Sequence, residues 1–316
     1  MTDIVTIDCH YVLPQVAAAY LIRAGQSACF IDNNTNHAVP SLLAALTTTG
    51  YKPEDVTHII ITHVHLDHAG ATGLLLSKCP NAVVVAHPRA APHVINPTRL
   101  VESAKAVYGA EAFTKLYGEI LPVPEARVYI PADGETLQVG NRELKFIYTR
   151  GHANHHFVIL DQKSKSIFTG DSFGIAYPLL QHGSRPFLFP STSPTDFDAA
   201  EARISYDKVL ASGAERAYPT HFGAWNDIAA GHKMLMVAMD EIEILFNEIK
   251  GSDLEGDAAY TFTFSGFRRF FDRELAVRGI RLSAEEQTVL DMDIDLNAQG
   301  LAFAAQRARK KSKATG

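Results

Sequence analysis

Residues 63–68 read His-Val-His-Leu-Asp-His, so His63, His65, Asp67 and His68 crowd into six positions of a 316-residue chain that holds 14 histidines. Imidazole nitrogen and carboxylate oxygen are the donors that zinc, iron and manganese accept in sites that keep a position open for chemistry. Cysteine is missing from the cluster, which favours a catalytic metal site over a structural, thiolate-rich one. A solvated strand end has no use for three imidazoles, which repel when protonated and compete for a few donors when neutral. Alternate residues of a strand point the same way. His63 and His65 can therefore share one metal while Asp67 and His68, in the following turn, face a second.

Four groups under-fill two metals, so more ligands are expected at other strand ends. After "LKFIYT" comes "RGHANHH" with His152; after "SIFT" comes "GDS" with Asp171; after "RAYPT" comes "HFG" with His221. Each follows a β-type run where it stops, the place at which α/β folds gather their functional groups. Asp171, with two carboxylate oxygens, is the candidate to bridge two cations.

Together these residues resemble the metallo-β-lactamase superfamily, in its glyoxalase II and lactonase-like branch of hydrolases. The H-x-H-x-D-H motif is highly specific, and the later G-H, G-D and T-H-F-G elements occur in the expected order over roughly residues 15–225. The resemblance implies an α/β fold, a four-layer αββα sandwich with the metals at one edge between two sheets. It makes His63, His65 and His152 ligands of a first metal, Asp67, His68 and His221 ligands of a second, and Asp171 the bridge. Two divalent ions are implied, Zn2+ first, with iron or manganese as alternatives. The implied activity is that of a dinuclear metallohydrolase whose bridging hydroxide, oriented by Asp67, cleaves an ester, thioester or lactone. An iron-dependent persulfide dioxygenase is the redox alternative within the same superfamily. A flavodiiron protein would carry glutamate at His65 and a flavin domain. A nuclease or phosphodiesterase would need a nucleic-acid-binding arm.

The chain departs from the pattern in two places. Where the superfamily usually has Asp-x-Gly, this sequence has "IDNN", Asp32 to Asn34, in which asparagine can adopt the left-handed conformation that glycine would supply. Where the branch often has T-P-G-H-T-x-G-H, this sequence has "TRGHANHH", which changes Arg150 and His155 and leaves His156 as the second histidine. Hydrogen bonding at a strand start is the expected role of His155 and His156. Between Asp171 and His221, "FGIAYPLLQHGSRPFLFP" sets Tyr177, His182 and Arg185 among apolar residues, a composition suited to a substrate pocket with a few polar anchors. His87 and His93 read as satisfied histidines, not ligands.

The elements that must position these groups alternate between strand and helix. "AAYLIRAGQSACFID" reads as two strands joined at Gly25, and "VPSLLAALTTTG" as a helix closed by Gly50. "VTHIII" has the continuous β-branched character of a strand buried on both faces, and it leads straight into the histidine cluster. "GATGLLLSKC" reads as a helix and "AVVVA" as the next buried strand. From Arg127 on, short strands with turn punctuation follow: "RVYI", "ETLQVG", "LKFIYT", "HFVILD" and "SIFTGD". Residues 88–126 hold five prolines and several helical stretches, as expected of an insertion or lid.

Two regions are expected: residues 1–225, carrying the sandwich, and residues 226–316, an appended helical region with a basic tail. "AAGHKMLMVAMDEIEILFNEIK" has helical periodicity, and Ser283 with Glu286 forms a capping box before a further helix. "RARKKSKATG" reads as a solvated tail, and "FTFSGFRRFF" as core or a subunit contact.

Bulk composition sets the limits. The chain is 47% hydrophobic and 20% charged with a mean hydropathy of −0.02, the balance of a globular protein. A net charge of −6, from 29 basic and 35 acidic residues, offers no overall positive field for phosphate backbones, so a nucleic acid is not an expected partner; a small-molecule substrate is, with a homodimer as a further option. No run approaches the roughly 18 apolar residues of a membrane span. The N-terminus lacks a basic stretch followed by an apolar one, and the three cysteines, Cys9, Cys29 and Cys79, make no disulfide framework. A reducing, cytoplasmic location is the expectation.

Overall fold

A computed structural model describes residues 3–192 and 196–315. The chain divides into two compact units, one of Met1–Tyr148, His155–Gly170 and Ala211–Asp227, the other of Thr149–Asn154, Asp171–Leu210 and Ile228–Gly316.

The first unit holds two mixed sheets. Strands β1 (Ile4–Asp8), β2 (Ala18–Ala24), β3 (Ser27–Ile31), β4 (Val56–Ile60), β5 (Val83–Val85) and β6 (Val128–Tyr129) lie side by side in chain order. The first three pair antiparallel, and β3 through β6 pair parallel. The second sheet runs β11 (Arg216–Pro219), β10 (Ser166–Gly170), β9 (His156–Asp161), β8 (Arg142–Thr149), β7 (Thr136–Val139). Its β10–β11 pair is parallel, and β9 lies antiparallel to β10.

The period of two in each strand decides which core each residue enters. Along β2, Ala18, Tyr20, Ile22 and Ala24 join Ile60 and Val85 from their own sheet and Phe146, Phe157 and Phe168 from the other in one apolar layer. The alternate residues Ala19 and Leu21 enter a second core with Leu42, Leu46, Leu75 and Leu76. The first two of these come from α1 (Val39–Thr49), the others from α3 (Thr72–Lys78). The expected turn and cap glycines are in place: Gly25 has φ 78° between β2 and β3, and Gly50 closes α1 at φ 83°. Asp161 pairs with the fully buried Arg142 at 2.6 Å, so the charge inside the second sheet is matched.

The region expected as an insertion carries α4 (Ala91–Ile95), α5 (Thr98–Tyr108) and α6 (Ala110–Tyr117). Its second half is tied down. His37 Nε2 donates to the Lys115 carbonyl at 3.0 Å, Asn36 donates to the Glu119 carbonyl, and Val123 N donates to Val94 O at 2.9 Å.

The second unit contains α7 (Ala199–Ala211) up to Leu210, then α8 (Ile228–Gly251), α9 (Gly256–Arg278) and α10 (Ala284–Thr315). The capping box forms as read: Ser283 N donates to Glu286 Oε2 at 2.8 Å and Glu286 N to Ser283 Oγ at 3.3 Å. Phe267, Phe270 and Phe271 of the phenylalanine-rich segment are buried. α10 runs on to Thr315 and so includes the basic tail, in which Lys310 and Lys311 are exposed as read while Arg309 departs from the reading. Arg309 is buried and donates to the carbonyls of Ser252 and Leu254, just beyond the end of α8. A guanidinium aimed at carbonyls left over at a helix end is a favourable placement that a linear charge pattern does not show. Among the described residues no helix is long and apolar enough to cross a membrane.

Candidate metal centre

The H-x-H-x-D-H residues begin where β4 stops and end in a single turn, α2 (Leu66–Ala69). That turn is held by the "IDNN" segment. The backbone N–H groups of Asn33 and Asn34 donate to the His68 carbonyl at 2.8 and 3.1 Å, and Asn34 Nδ2 donates to the Asp67 carbonyl at 2.8 Å. Asp32 and Asn34 take φ 55° and 57°, the left-handed conformation expected in place of glycine. Gly70 is required by close approach, since a Cβ there would lie 2.4 Å from the Leu66 carbonyl oxygen.

The Asp32 carboxylate, fully buried, is the hub of the site. It accepts from Thr62 N at 2.8 Å, from Thr62 Oγ1 at 2.9 Å and from Thr220 Oγ1 at 2.7 Å, and its Oδ2 lies 2.9 Å from His68 Nδ1. An acceptor-only carboxylate fixes the proton of His68 on Nδ1, so Nε2 keeps its lone pair. The Thr62 hydroxyl gives its proton to Asp32 and so accepts from His63 Nδ1 at 3.2 Å, which leaves His63 Nε2 as a lone-pair donor too. His221 Nδ1 donates to the Val16 carbonyl at 2.7 Å, with the same consequence for its Nε2.

The lone pairs converge. His63 Nε2 and His65 Nδ1 lie 2.7 Å apart, an approach of two ring nitrogens that suits a shared cation. Asp67 Oδ2 is 3.3 Å from His221 Nε2 and 3.6 Å from His68 Nε2, and one ligand atom from each of these three residues falls within 4.8 Å of the others. Two imidazoles and a carboxylate with oriented second nitrogens fit a divalent metal, so the donor set passes the chemical test.

His152 and Asp171 belong to the second unit, where His152 Nε2 lies 3.5 Å from Asp171 Oδ2 and both side chains are buried. The loop carrying His152 is clamped by α7. Arg150 N donates to Ser205 Oγ at 3.0 Å, the Ser205 hydroxyl donates to the Arg150 carbonyl at 2.7 Å, and a Cβ at Gly151 would lie 2.3 Å from Ala202 N. Ser172 Oγ donates to Thr149 Oγ1 at 3.0 Å, joining the residue after Asp171 to the end of β8.

The remaining candidates separate. His156 is buried and stacks on His63 with ring centroids 4.8 Å apart, while His155 Nδ1 accepts from Val64 N at 3.5 Å. Gly170, at φ 49°, makes room for them: a Cβ there would sit 2.5 Å from His156 Nε2 and 2.7 Å from Thr62 Oγ1. His87 is buried against the Tyr148 ring, 4.3 Å between centroids, and its Nδ1 accepts from Arg89 N. Tyr177 is buried, edge-on to Phe189 at 6.2 Å, whereas His182 and Arg185 are exposed. The buried cation of that segment is Arg278, 4.4 Å over the Phe187 ring and donating to the Pro186 carbonyl, and the sequence reading missed it. The orienting role of Asp32 was also missed; the "IDNN" departure was the signal that pointed to it.

A curated relative from Sulfurisphaera tokodaii, the metallo-beta-lactamase fold-containing protein ST1585, is 26% identical over 164 residues, 51% of this chain and 58% of that protein. The thioesterase pkgB of Emericella nidulans is 24% identical over 48% of this chain and 34% of its own length. A hydroxyacylglutathione hydrolase of Rhodopseudomonas palustris is 27% identical over 54% of each. The chain thus spans between about a third and three fifths of these relatives. Two solved structures share the fold: ST1585 of Sulfolobus tokodaii (TM-score 0.66, 19% identity, 95% of this chain and 98% of that one) and TTHA1429 of Thermus thermophilus (0.62, 18%, 100% and 94%). Both likenesses extend over the two mixed sheets and the C-terminal helices. The sequence profile of the metallo-beta-lactamase superfamily matches residues 16–221, which include all seven candidate ligands, and the chain belongs to that superfamily.

Proposed function

We propose that this protein is a dinuclear metallohydrolase that cleaves an ester, thioester or lactone. His63, His65 and His152 would hold one metal and Asp67, His68 and His221 the other, with Asp171 completing the donor set. The observation that carries the reading is the Asp32 hub, because a carboxylate that turns the Nε2 lone pairs of His63 and His68 in one direction is preparation for cations. Divalent ions bound there supply Lewis acidity and lower the pKa of a coordinated water toward neutrality.

The chain's own groups then have separate tasks. Asp67, with 24% of its side chain exposed, orients the attacking water by accepting its hydrogen at a carboxylate oxygen. Buried His63 and His68 point Nδ1–H at Thr62 and Asp32, so Nε2 of each would be the atom offered to a metal. Two of the relatives are named thioesterase and hydroxyacylglutathione hydrolase, which supports an acyl-transfer reaction to water.

The test is a screen of metal-quantified protein against lactones, thioesters, phosphodiesters and persulfides, alongside His65→Ala and Asp171→Ala. Acyl hydrolysis that disappears with bound metal in both variants is expected. Full activity in a metal-free variant overturns the reading, as does iron with thiol-dependent oxygen uptake and no acyl hydrolysis.

A further inference from the structure

The second unit carries a face that its own helices leave uncovered. A groove of about 190 Å3 runs between α8 and α9, with buried Leu245, Phe267 and Phe270 in its floor. Gly266 keeps that floor open, for a Cβ there would lie 2.7 Å from both Leu245 δ-carbons. At the rim stands Ile244, 60% exposed, and one heptad earlier on α8 stands Val237, 55% exposed. Val277 of α9 is 53% exposed. The ion pair of Glu241 with Arg273, at 2.7 Å, crosses from α8 to α9. Val237 lies one turn before Glu241 and Val277 one turn after Arg273, so the antiparallel hairpin brings both valines to the same end of this face.

The charges on the two walls are opposite in sign. Glu241 and Glu248 belong to α8, Arg269 and Arg273 to α9. Within the chain Glu241 and Arg273 satisfy each other, but among the described residues neither Glu248 nor Arg269 forms an ion pair, and both are exposed. A surface with an acidic wall, a basic wall and an apolar seam between them is complementary to its own two-fold image. A rotation by half a turn sets each acidic wall against the other copy's basic one.

We propose that this face joins two copies of the chain in a two-fold dimer, Ile244 of each copy seated in the groove of the other and Glu248 of each facing Arg269 of the other. The occupant favoured by a self-complementary face is a second copy.

Sedimentation velocity of the full chain over a concentration series tests this. The expected result is a dimer whose dissociation constant rises by about tenfold or more in Ile244→Arg and in Glu248→Arg, and returns toward the original in the double variant Glu248→Arg/Arg269→Glu. All three positions are exposed, so near-ultraviolet circular dichroism should show each variant folded as before. A monomer at every concentration overturns the proposal. So does a dimer indifferent to Ile244→Arg, which would place the interface elsewhere, or a double variant no tighter than the single charge reversal.

Discussion

At the scale of single residues, the candidate site depends as much on Asp32 as on the groups that would touch metal. Its carboxylate backs His68 directly and His63 through Thr62, and it also accepts from the hydroxyl of Thr220, the residue before His221. Replacing it orphans several buried donors and frees the imidazoles to rotate. Asp32→Ala should therefore weaken metal binding 10- to 100-fold, about the range for removing an outer-shell partner, and competition against a chelator of known affinity measures it. Unchanged affinity would show that the hub orients nothing. The candidate ligands were legible because few other roles call for three imidazoles and a carboxylate in six positions. The hub was not, because its partners lie 30, 36 and 188 residues away in the chain.

At the scale of elements, the candidate ligands collect where strands give out, and the glycines there set how close the ends can come. Gly170 is the clearest case. The β10–β11 register shifts between Phe168 and Gly170, and the left-handed turn that follows leads directly into Asp171. Gly170→Ala brings both an unfavourable φ and a collision with His156 and Thr62, and should lower stability by about 1–3 kcal/mol, the range for overpacking a filled interior. Gly251→Ala, at the end of α8 with nothing within 4 Å, should be close to neutral. Urea midpoints of the two variants make the comparison, and equal shifts would refute it. Strands and helices were readable from period and punctuation: β2, β3, α1 and β4 stand where the sequence sets them. The end of α10 was not, because Arg309 is held by carbonyls 55 and 57 residues earlier.

At the scale of the whole molecule, the superfamily follows from one set of side chains, while a substrate depends on surfaces the motif does not encode. The G-H, G-D and T-H-F-G elements were readable in order, and the profile match over residues 16–221 agrees with that span. His182 and Arg185 are exposed and Tyr177 is buried, a difference that composition does not show. A residue's type does not tell whether its side chain reaches solvent, and the cation held inside that segment, Arg278, comes from α9. A dinuclear hydrolase should work only with both metals bound. Its most direct test is stepwise addition of divalent metal to stripped protein while ester, thioester or lactone hydrolysis is followed. No turnover is expected without metal, and activity should rise and level off at two equivalents per chain. Turnover in the stripped protein, or a plateau at one equivalent, would contradict that expectation.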